Sequence, residues 1–298
     1  MWVNGVEIED TFAEAFGMRA ARVIVTAKNE NWVRNAALTA TGFATSVIAC
    51  GAEAGVERWL RPEETPDGRP GASLLIFAMS EKDLEDQLLR RIGQCIMTCP
   101  TTSCFNGLQG EKTVKVGAKL RFFGDGFQLS KRVGERRFWR IPVMEGEFLV
   151  EEEFGIKRAV GGGNFLILGE DEDCTLEAAE RAVERIRRVE GVVAPFPGGV
   201  VRSGSKVGSK YRFLKASTNT EYCPTLRPLV KSKVPEGVNC VLEIVINGLD
   251  EESVRKAMRE GIEGACSVKG IRRISAGNYG GKLGKYLFHL REVMRCSS

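Results

Sequence analysis

The sequence predicts an α+β protein built as two ferredoxin-like (split βαβ) lobes with antiparallel sheets. Two observations carry that expectation. Short apolar runs of β type and stretches of helical period follow one another as β-α-β-β-α-β, and the same order then occurs a second time. The change from one copy to the next falls in a glycine-rich stretch at 146–162. It divides the 298 residues into an N-terminal lobe, 1–146, and a C-terminal lobe, 147–298. Each part is long enough to bury a core of its own.

In the N-terminal part, Asn4 to Phe16 reads as a short strand followed by an amphipathic turn or helix. Arg22-Val-Ile-Val-Thr-Ala is the first strand of the repeat. Asn29 can cap a helix running to about Ala40, because Trp32, Val33, Ala36 and Ala40 fall on one face. Thr45-Ser-Val-Ile-Ala-Cys50 is the second strand. Pro and Gly are too dense between 61 and 71 for regular structure. Ser73-Leu-Leu-Ile-Phe-Ala-Met79 is the third strand. Ser80 with Asp83 then starts a helix carrying Leu84, Leu88, Ile92 and Ile96 at helical spacing. Lys119-Leu-Arg-Phe-Phe123 closes the copy as its fourth strand.

The second copy opens with Asn164-Phe-Leu-Ile-Leu168. A helix from about Thr175 turns Leu176, Ala179, Val183 and Ile186 inward, and Val192-Val-Ala is a short strand. A long glycine-rich excursion leads to Cys240-Val-Leu-Glu-Ile-Val-Ile-Asn-Gly-Leu249. Asp250 caps a helix of Val254, Ala257, Met258, Ile262 and Ala265, and Ile271-Arg-Arg-Ile-Ser275 is the last strand.

Composition narrows the function. With 43% apolar and 28% charged residues the chain reads as a water-soluble globule. No apolar run reaches the ~18–20 residues of a membrane span. The N-terminus lacks the basic region and apolar core of a signal peptide, so a cytoplasmic location without a membrane partner is expected. The net charge of +4 is spread among acidic residues and forms no basic stripe, which argues against nucleic acid. Nine cysteines, an odd number in a chain without a signal, are expected to stay reduced. Cys95, Cys99 and Cys104 are spaced C-x3-C-x4-C, which matches no common zinc or iron–sulfur pattern, so no metal site is expected. The single histidine, His289, excludes histidine-rich metal sites and leaves acid–base work to Glu, Asp, Lys, Tyr or Cys.

Glu243 is the residue that needs explaining. It sits in a β-branched apolar run between Gly237 and Gly248, and alternation puts it on one face with Val241 and Val245. A buried carboxylate either finds a cation or raises its pKa and keeps its proton. The first outcome is a structural ion pair. The second is a general acid–base group.

Three loops are rich in small residues and donors: Pro195 to Lys210, Ala276-Gly-Asn-Tyr-Gly-Gly-Lys-Leu-Gly284, and Thr98-Cys-Pro-Thr-Thr-Ser103. Such loops approach a ligand closely, and they are also ordinary surface turns. The first is no P-loop, since Ser205 stands where the nucleotide motif needs Lys, and no dinucleotide fingerprint is present.

Ordered blocks over nearly the full length give a more specific reading. They include Asn4-Gly-Val-Glu-Ile-Glu-Asp-Thr-Phe-Ala-Glu-Ala-Phe16, Glu64-Thr-Pro-Asp-Gly-Arg-Pro-Gly71, Arg91-Ile-Gly-Gln-Cys95, Ala194-Pro-Phe-Pro-Gly-Gly199, Ser205-Lys-Val-Gly-Ser-Lys210, Tyr222-Cys-Pro-Thr225, Glu243-Ile-Val-Ile-Asn-Gly-Leu249 and Ile274-Ser-Ala-Gly-Asn278. On these the chain resembles the formylmethanofuran–tetrahydromethanopterin formyltransferase family of archaeal one-carbon metabolism. The resemblance implies transfer of a formyl group from methanofuran to N5 of tetrahydromethanopterin. It also implies a two-lobed subunit, a homotetramer, carrier substrates in place of a tightly bound cofactor, and Glu243 as catalytic acid–base.

Amine attack on a formamide needs donors at the oxyanion and a proton for the leaving amine. Thr101, Thr102, Ser205, Ser209 and Asn278 are the candidate substrate-binding donors, and Lys206, Lys210 and Lys282 suit the anionic carrier tails. The chain departs from strongly acidic family members in being slightly basic, partly through Leu226-Arg-Pro-Leu-Val-Lys-Ser-Lys233. The alternatives are a subunit of a formyltransferase/hydrolase complex and a non-catalytic pterin-binding paralogue.

Overall fold

A computed structural model describes residues 1–45, 50–204 and 206–295. It is a mixed α+β fold with mostly antiparallel sheets and, among the described residues, six α-helices. The contacts group into two compact units that interleave along the chain. One is Met18–Ala44 with Gly51–Ala159; the other is Met1–Gly17 with the chain from Val160 onward. The first seventeen residues thus join the C-terminal half, where a single cut after 146 was expected to separate them from it.

The chain opens with a hairpin of β1 (Trp2–Val3) and β2 (Val6–Ile8), the latter in the place of the expected short strand. Its two turn residues, Asn4 and Gly5, have φ of 50° and 81°, the left-handed pair that a two-residue hairpin turn requires. Strand β3 (Phe12–Thr26) then runs fifteen residues, absorbing both the expected amphipathic segment and the expected first strand.

Helix α1 (Glu30–Thr41) starts where Asn29 accepts a hydrogen bond from the Trp32 amide at 3.2 Å, and it buries Val33, Ala36, Ala37 and Ala40. Residues 46–49 of the expected second strand lie outside the described residues; β4 (Glu53–Leu60) fills that place in the order. Strand β5 (Gly71–Ala78) is buried at every residue, as its unbroken apolar run implies. Ser80 caps α2 (Glu81–Arg91), and a π-helical turn, Ile92–Ile96, carries Ile92 and Ile96 on into the core. The fourth strand is β6 (Ser103–Asn106).

Further on come β7 (Lys112–Val114) and α3 (Val116–Leu120), which passes into a 3-10 turn, Arg121–Gly124. The expected strand at 119–123 is therefore helical. Phe122 and Phe123 are 66% and 65% exposed, so their apolar character reflects no buried sheet face. An antiparallel meander of β8 (Leu129–Val133), β9 (Arg136–Val143) and β10 (Gly146–Glu151) follows, with β10 parallel to β6. The pairings set β6, β3, β5 and β4 side by side in that order.

Strand β11 (Phe154–Gly169) contains the expected strand 164–168 and extends back into the stretch expected to be a link. Asp171 caps α4 (Glu172–Ile186), whose inward face is Ala178, Ala179, Ala182, Val183 and Ile186; Leu176, expected inward, is 44% exposed. After β12 (Val192–Val193) a long excursion holds only the two-residue strands β13 (Lys206–Val207) and β14 (Ala216–Ser217). Strand β15 (Cys240–Gly248), α5 (Glu251–Ala265) and β16 (Ile271–Ser275) complete the second copy, followed by β17 (Tyr286–His289) and α6 (Leu290–Arg295). Here the strands lie in the order β16, β11, β15, β12, with β2 parallel to β16. Helices α4 and α5 cover one face, over a core of Phe165, Ile167, Ile244 and Ile246.

Candidate active site

Alternation along β15 sends Ile244 and Ile246 to the helices and turns Glu243 to the other face. Glu243 stands opposite Leu166 of β11, which in turn stands opposite Ser275 of β16. Two pairs along, and so on the same face, Asn164 faces Val245; two pairs the other way Leu168 faces Val241 and Arg273. On its free edge β15 is met by Val201, whose amide and carbonyl exchange hydrogen bonds with Glu243 at 2.8 and 2.9 Å. Leu166 and Leu168 pack with Val234 and Val238, and Tyr222 and Val241 lie against that cluster. The hydroxyls of Tyr222 and Ser275 are 3.0 Å apart.

Glu243 is half-buried and shares this face with the apolar Leu166, Leu168, Val241 and Val245 as well as with Ser275; burial pushes its carboxyl up to about 7. Among the described residues no cation forms an ion pair with it. Of the two outcomes open in the sequence, the ion pair is not formed among the described residues, and the raised carboxyl is the one the structure shows. The phenol of Tyr279 is raised by burial and by the charges of Glu243 and Glu14, which keeps it neutral.

The glycine-rich loop after β16 has an internal organiser. Glu14, 2% exposed, accepts hydrogen bonds from the amides of Tyr279 (2.7 Å), Gly281 (2.9 Å), Leu283 (2.5 Å) and Gly284 (2.5 Å). Burial raises that carboxyl, and the four amides together outweigh it and hold the group below its ordinary value.

The expected substrate residues are placed as follows. Asn278 donates to Thr11 Oγ1 at 3.2 Å and Phe12 O at 3.1 Å, and its oxygen accepts from the Gly280 amide. Lys282 is exposed on the same loop. Lys206 and Lys210 are exposed on the excursion, with Lys206 Nζ 3.3 Å from Thr220 Oγ1; Ser209 Oγ accepts from the Tyr211 amide, and Ser205 lies outside the described residues. Thr101 and Thr102 belong to the other unit. The Thr101 hydroxyl accepts from the Lys28 amide, and the buried Thr102 hydroxyl reaches Ile96 O at 2.6 Å and Cys99 O at 3.0 Å. The hydroxyl of Thr102 and the amide of Asn278 are thus engaged within the chain. Sequence reading did not single out Glu14, Tyr222, Ser275 or Tyr279, although each lies in a stretch quoted above. Among the described residues no group of three or more His, Cys, Asp or Glu is placed to hold a metal ion.

An α+β scaffold that carries a carboxyl raised towards neutrality can support proton exchange in a group-transfer enzyme. The comparisons give the particular family. Residues 1–143 match the family model described as formylmethanofuran-tetrahydromethanopterin formyltransferase, and 146–293 match the model of its proximal lobe. The chain belongs to this formyltransferase family. It is 60% identical to the formylmethanofuran–tetrahydromethanopterin formyltransferase of Methylococcus capsulatus, over 99% of this chain and 100% of that one. It is 54% identical to the enzyme of Methanosarcina acetivorans, over 98% and 100%. The Methanosarcina barkeri formyltransferase structure superposes with a TM-score of 0.94 at 53% identity, covering 98% of this chain and 100% of that one. A chain of the formyltransferase/hydrolase complex of Methylorubrum extorquens, solved with methylofuran, gives 0.96 at 49%, with 99% of each covered. These relatives come from bacteria as well as archaea, so the archaeal setting is no property of the family.

Proposed function

We propose that the protein transfers the formyl group of N-formylmethanofuran to N5 of tetrahydromethanopterin, with Glu243 as the group that carries the proton. The observation that bears this reading is the position of Glu243: a carboxyl raised to about 7 with no ion-pair partner among the described residues, on a sheet face shared with Leu166 and Ser275 and within electrostatic reach of Tyr279. The N5 amine attacks the formamide carbon, the carbonyl π electrons move onto oxygen, and Glu243 accepts the N5 proton. The tetrahedral oxyanion then collapses with cleavage of the bond to the methanofuran nitrogen, which takes the proton back from Glu243. Ser205, Ser209, Asn278 and the loop of Thr101 and Thr102 are proposed to line the carriers, and Lys206, Lys210 and Lys282 to meet their anionic tails. The steps use no resident cofactor.

The strand orders β6-β3-β5-β4 and β16-β11-β15-β12 support the finer reading of two ferredoxin-like lobes, and the two family models support a sequence division near 146. A homotetramer in the cytoplasm is proposed on the family resemblance. The likeness to a chain of a formyltransferase/hydrolase complex favours a second reading, in which this chain works as one subunit among others. Co-purification with partner chains decides between them.

The direct test is formyl transfer between the purified carriers, wild type beside Glu243→Gln. Turnover that falls about 10²–10⁴-fold in the variant supports the assignment. Undiminished turnover assigns Glu243 to structure, and a folded but inactive wild type overturns the activity.

A further inference from the structure

We propose that Glu14 is the positioning residue of this site: its carboxylate is the fixed anion around which residues 279–284 wrap, and by holding that loop it holds Tyr279 at Glu243. The inference rests on the formyl-transfer reading above. Each carboxylate oxygen takes two amides, Oε2 those of Tyr279 and Gly281, Oε1 those of Leu283 and Gly284. The glycines of the loop follow from the cradle. Gly280 and Gly281 both have φ of 72°, which bends successive amides towards one point, and a Cβ on Gly284 would stand 2.6 Å from Ala15 O and Glu14 Cγ. A cluster of amides of this kind ordinarily recruits an anion from solution. Here the chain supplies its own, so these four amides are not open to a carrier carboxylate or phosphate.

The loop is tied to the Glu243 face at its start as well. Asn164, two pairs along from the Leu166–Glu243 pair on the same face, accepts from the Gly277 amide at 2.6 Å and donates to Gly277 O at 3.1 Å. Between these two anchorages the Tyr279 phenol lies within electrostatic reach of Glu243, with its ring 6.3 Å from that of Phe16. Other polar or charged groups at this face include Tyr222, bonded to Ser275 and near Glu9, Glu221 and Lys233, and Arg273, which is paired with Glu7. None of these forms an ion pair with Glu243 among the described residues, and the loop that carries Tyr279 is the neighbour whose charge environment Glu14 controls. Gln in place of Glu14 puts an NH₂ group against amides that need an acceptor, and two of the four bonds are lost.

The experiment compares wild type, Glu14→Gln and Glu14→Asp, following kcat, KM for both carriers and the infrared titration of the Glu243 carboxyl, whose band is assigned by its loss in Glu243→Gln. In Glu14→Gln, with a wild-type far-ultraviolet circular dichroism spectrum, kcat is expected to fall about 10–100-fold while KM moves less than about 3-fold. The Glu243 midpoint is expected to drop by at least about half a unit from its place near 7, as water reaches it. Glu14→Asp keeps the charge on a shorter arm and is expected to recover part of both losses. Wild-type kcat in Glu14→Gln, or a lost kcat with an unmoved Glu243 midpoint, overturns the proposal. If Glu14→Gln does not fold, the same two readouts in Glu14→Asp decide, with wild-type values for both overturning it. An inactive wild type in which the midpoint still moves with Glu14 refutes formyl transfer and leaves the positioning role standing.

Discussion

Arg22 closes on Glu57 with two nitrogens, Nε at 2.8 Å from Oε2 and Nη2 at 2.6 Å from Oε1, and Ser73 adds a third bond at 2.6 Å. Both are strand residues, and Glu57 is as buried as any carboxylate in the chain apart from Glu14 and Glu151. This is what a glutamate inside a sheet looks like when its role is structural, and Glu243 has none of it. Removing one member of such a pair strands the other. Arg22→Met is expected to lower the unfolding free energy by about 3 kcal/mol in urea. Glu243→Gln, which strands nothing, is expected to stay within about 1 kcal/mol of wild type at pH 5.

The raised carboxyl of Glu243 fixes the sign of two pH dependences. The folded protein binds this proton more tightly than the unfolded chain, whose value is 4.5 against about 7. Its contribution to stability is therefore complete below about pH 4.5 and is lost as pH rises through about 7, a span of roughly 3 kcal/mol. In catalysis the sign is opposite, because the ionised form is the one that accepts the N5 proton. The logarithm of kcat/KM is expected to climb to a plateau with an apparent pKa near 7, and Glu243→Gln is expected to abolish that limb. A flat wild-type profile between pH 5 and 9 would show that the carboxyl does not gate the reaction.

Much of this was legible in the sequence, for physical reasons that differ by element. The unbroken apolar runs of β5 and β15 and the Asn29, Ser80 and Asp250 caps are local signals, and the structure places each where it was expected. Strand β6 was missed because Ser103-Cys-Phe-Asn is short and mixed, and its partners β3 and β10 are remote in sequence. Residues 119–123 imitated a strand because exposed Phe122 and Phe123 carry the same letters as a buried pair. At the site, the oddity of a carboxylate among Val and Ile exposed Glu243 at once. Glu14 gave no such signal: in Phe12-Ala-Glu-Ala-Phe16 it alternates like any surface residue, and its partners are amides more than 260 residues away.

The apolar wall facing half-buried Glu243 across the strand pair is Leu166, which is 3% exposed. Leu166→Ala removes that wall. It is expected to cost about 2–4 kcal/mol of stability, as large-to-small core changes do, and to let water towards the carboxyl. The rising limb of kcat/KM should then shift to lower pH by about a unit, measurable in the same assay. A destabilised variant with the limb still near 7 would place the source of the shift elsewhere.

Thr102 separates positioning of a loop from direct contact with the reacting atoms. Its hydroxyl, 4% exposed, donates towards Ile96 O at 2.6 Å and Cys99 O at 3.0 Å, closing the end of the π-helical turn. Thr102→Val keeps the shape and leaves those carbonyls short of a donor, a loss of about 1–2 kcal/mol in thermal or urea unfolding. Since the hydroxyl proton already points into the protein, kcat/KM is expected to stay within about 3-fold of wild type. A fall of more than about 10-fold with unchanged stability would mean that the hydroxyl turns to the formyl oxygen during the reaction, and Thr102 would then count as a donor to the oxyanion.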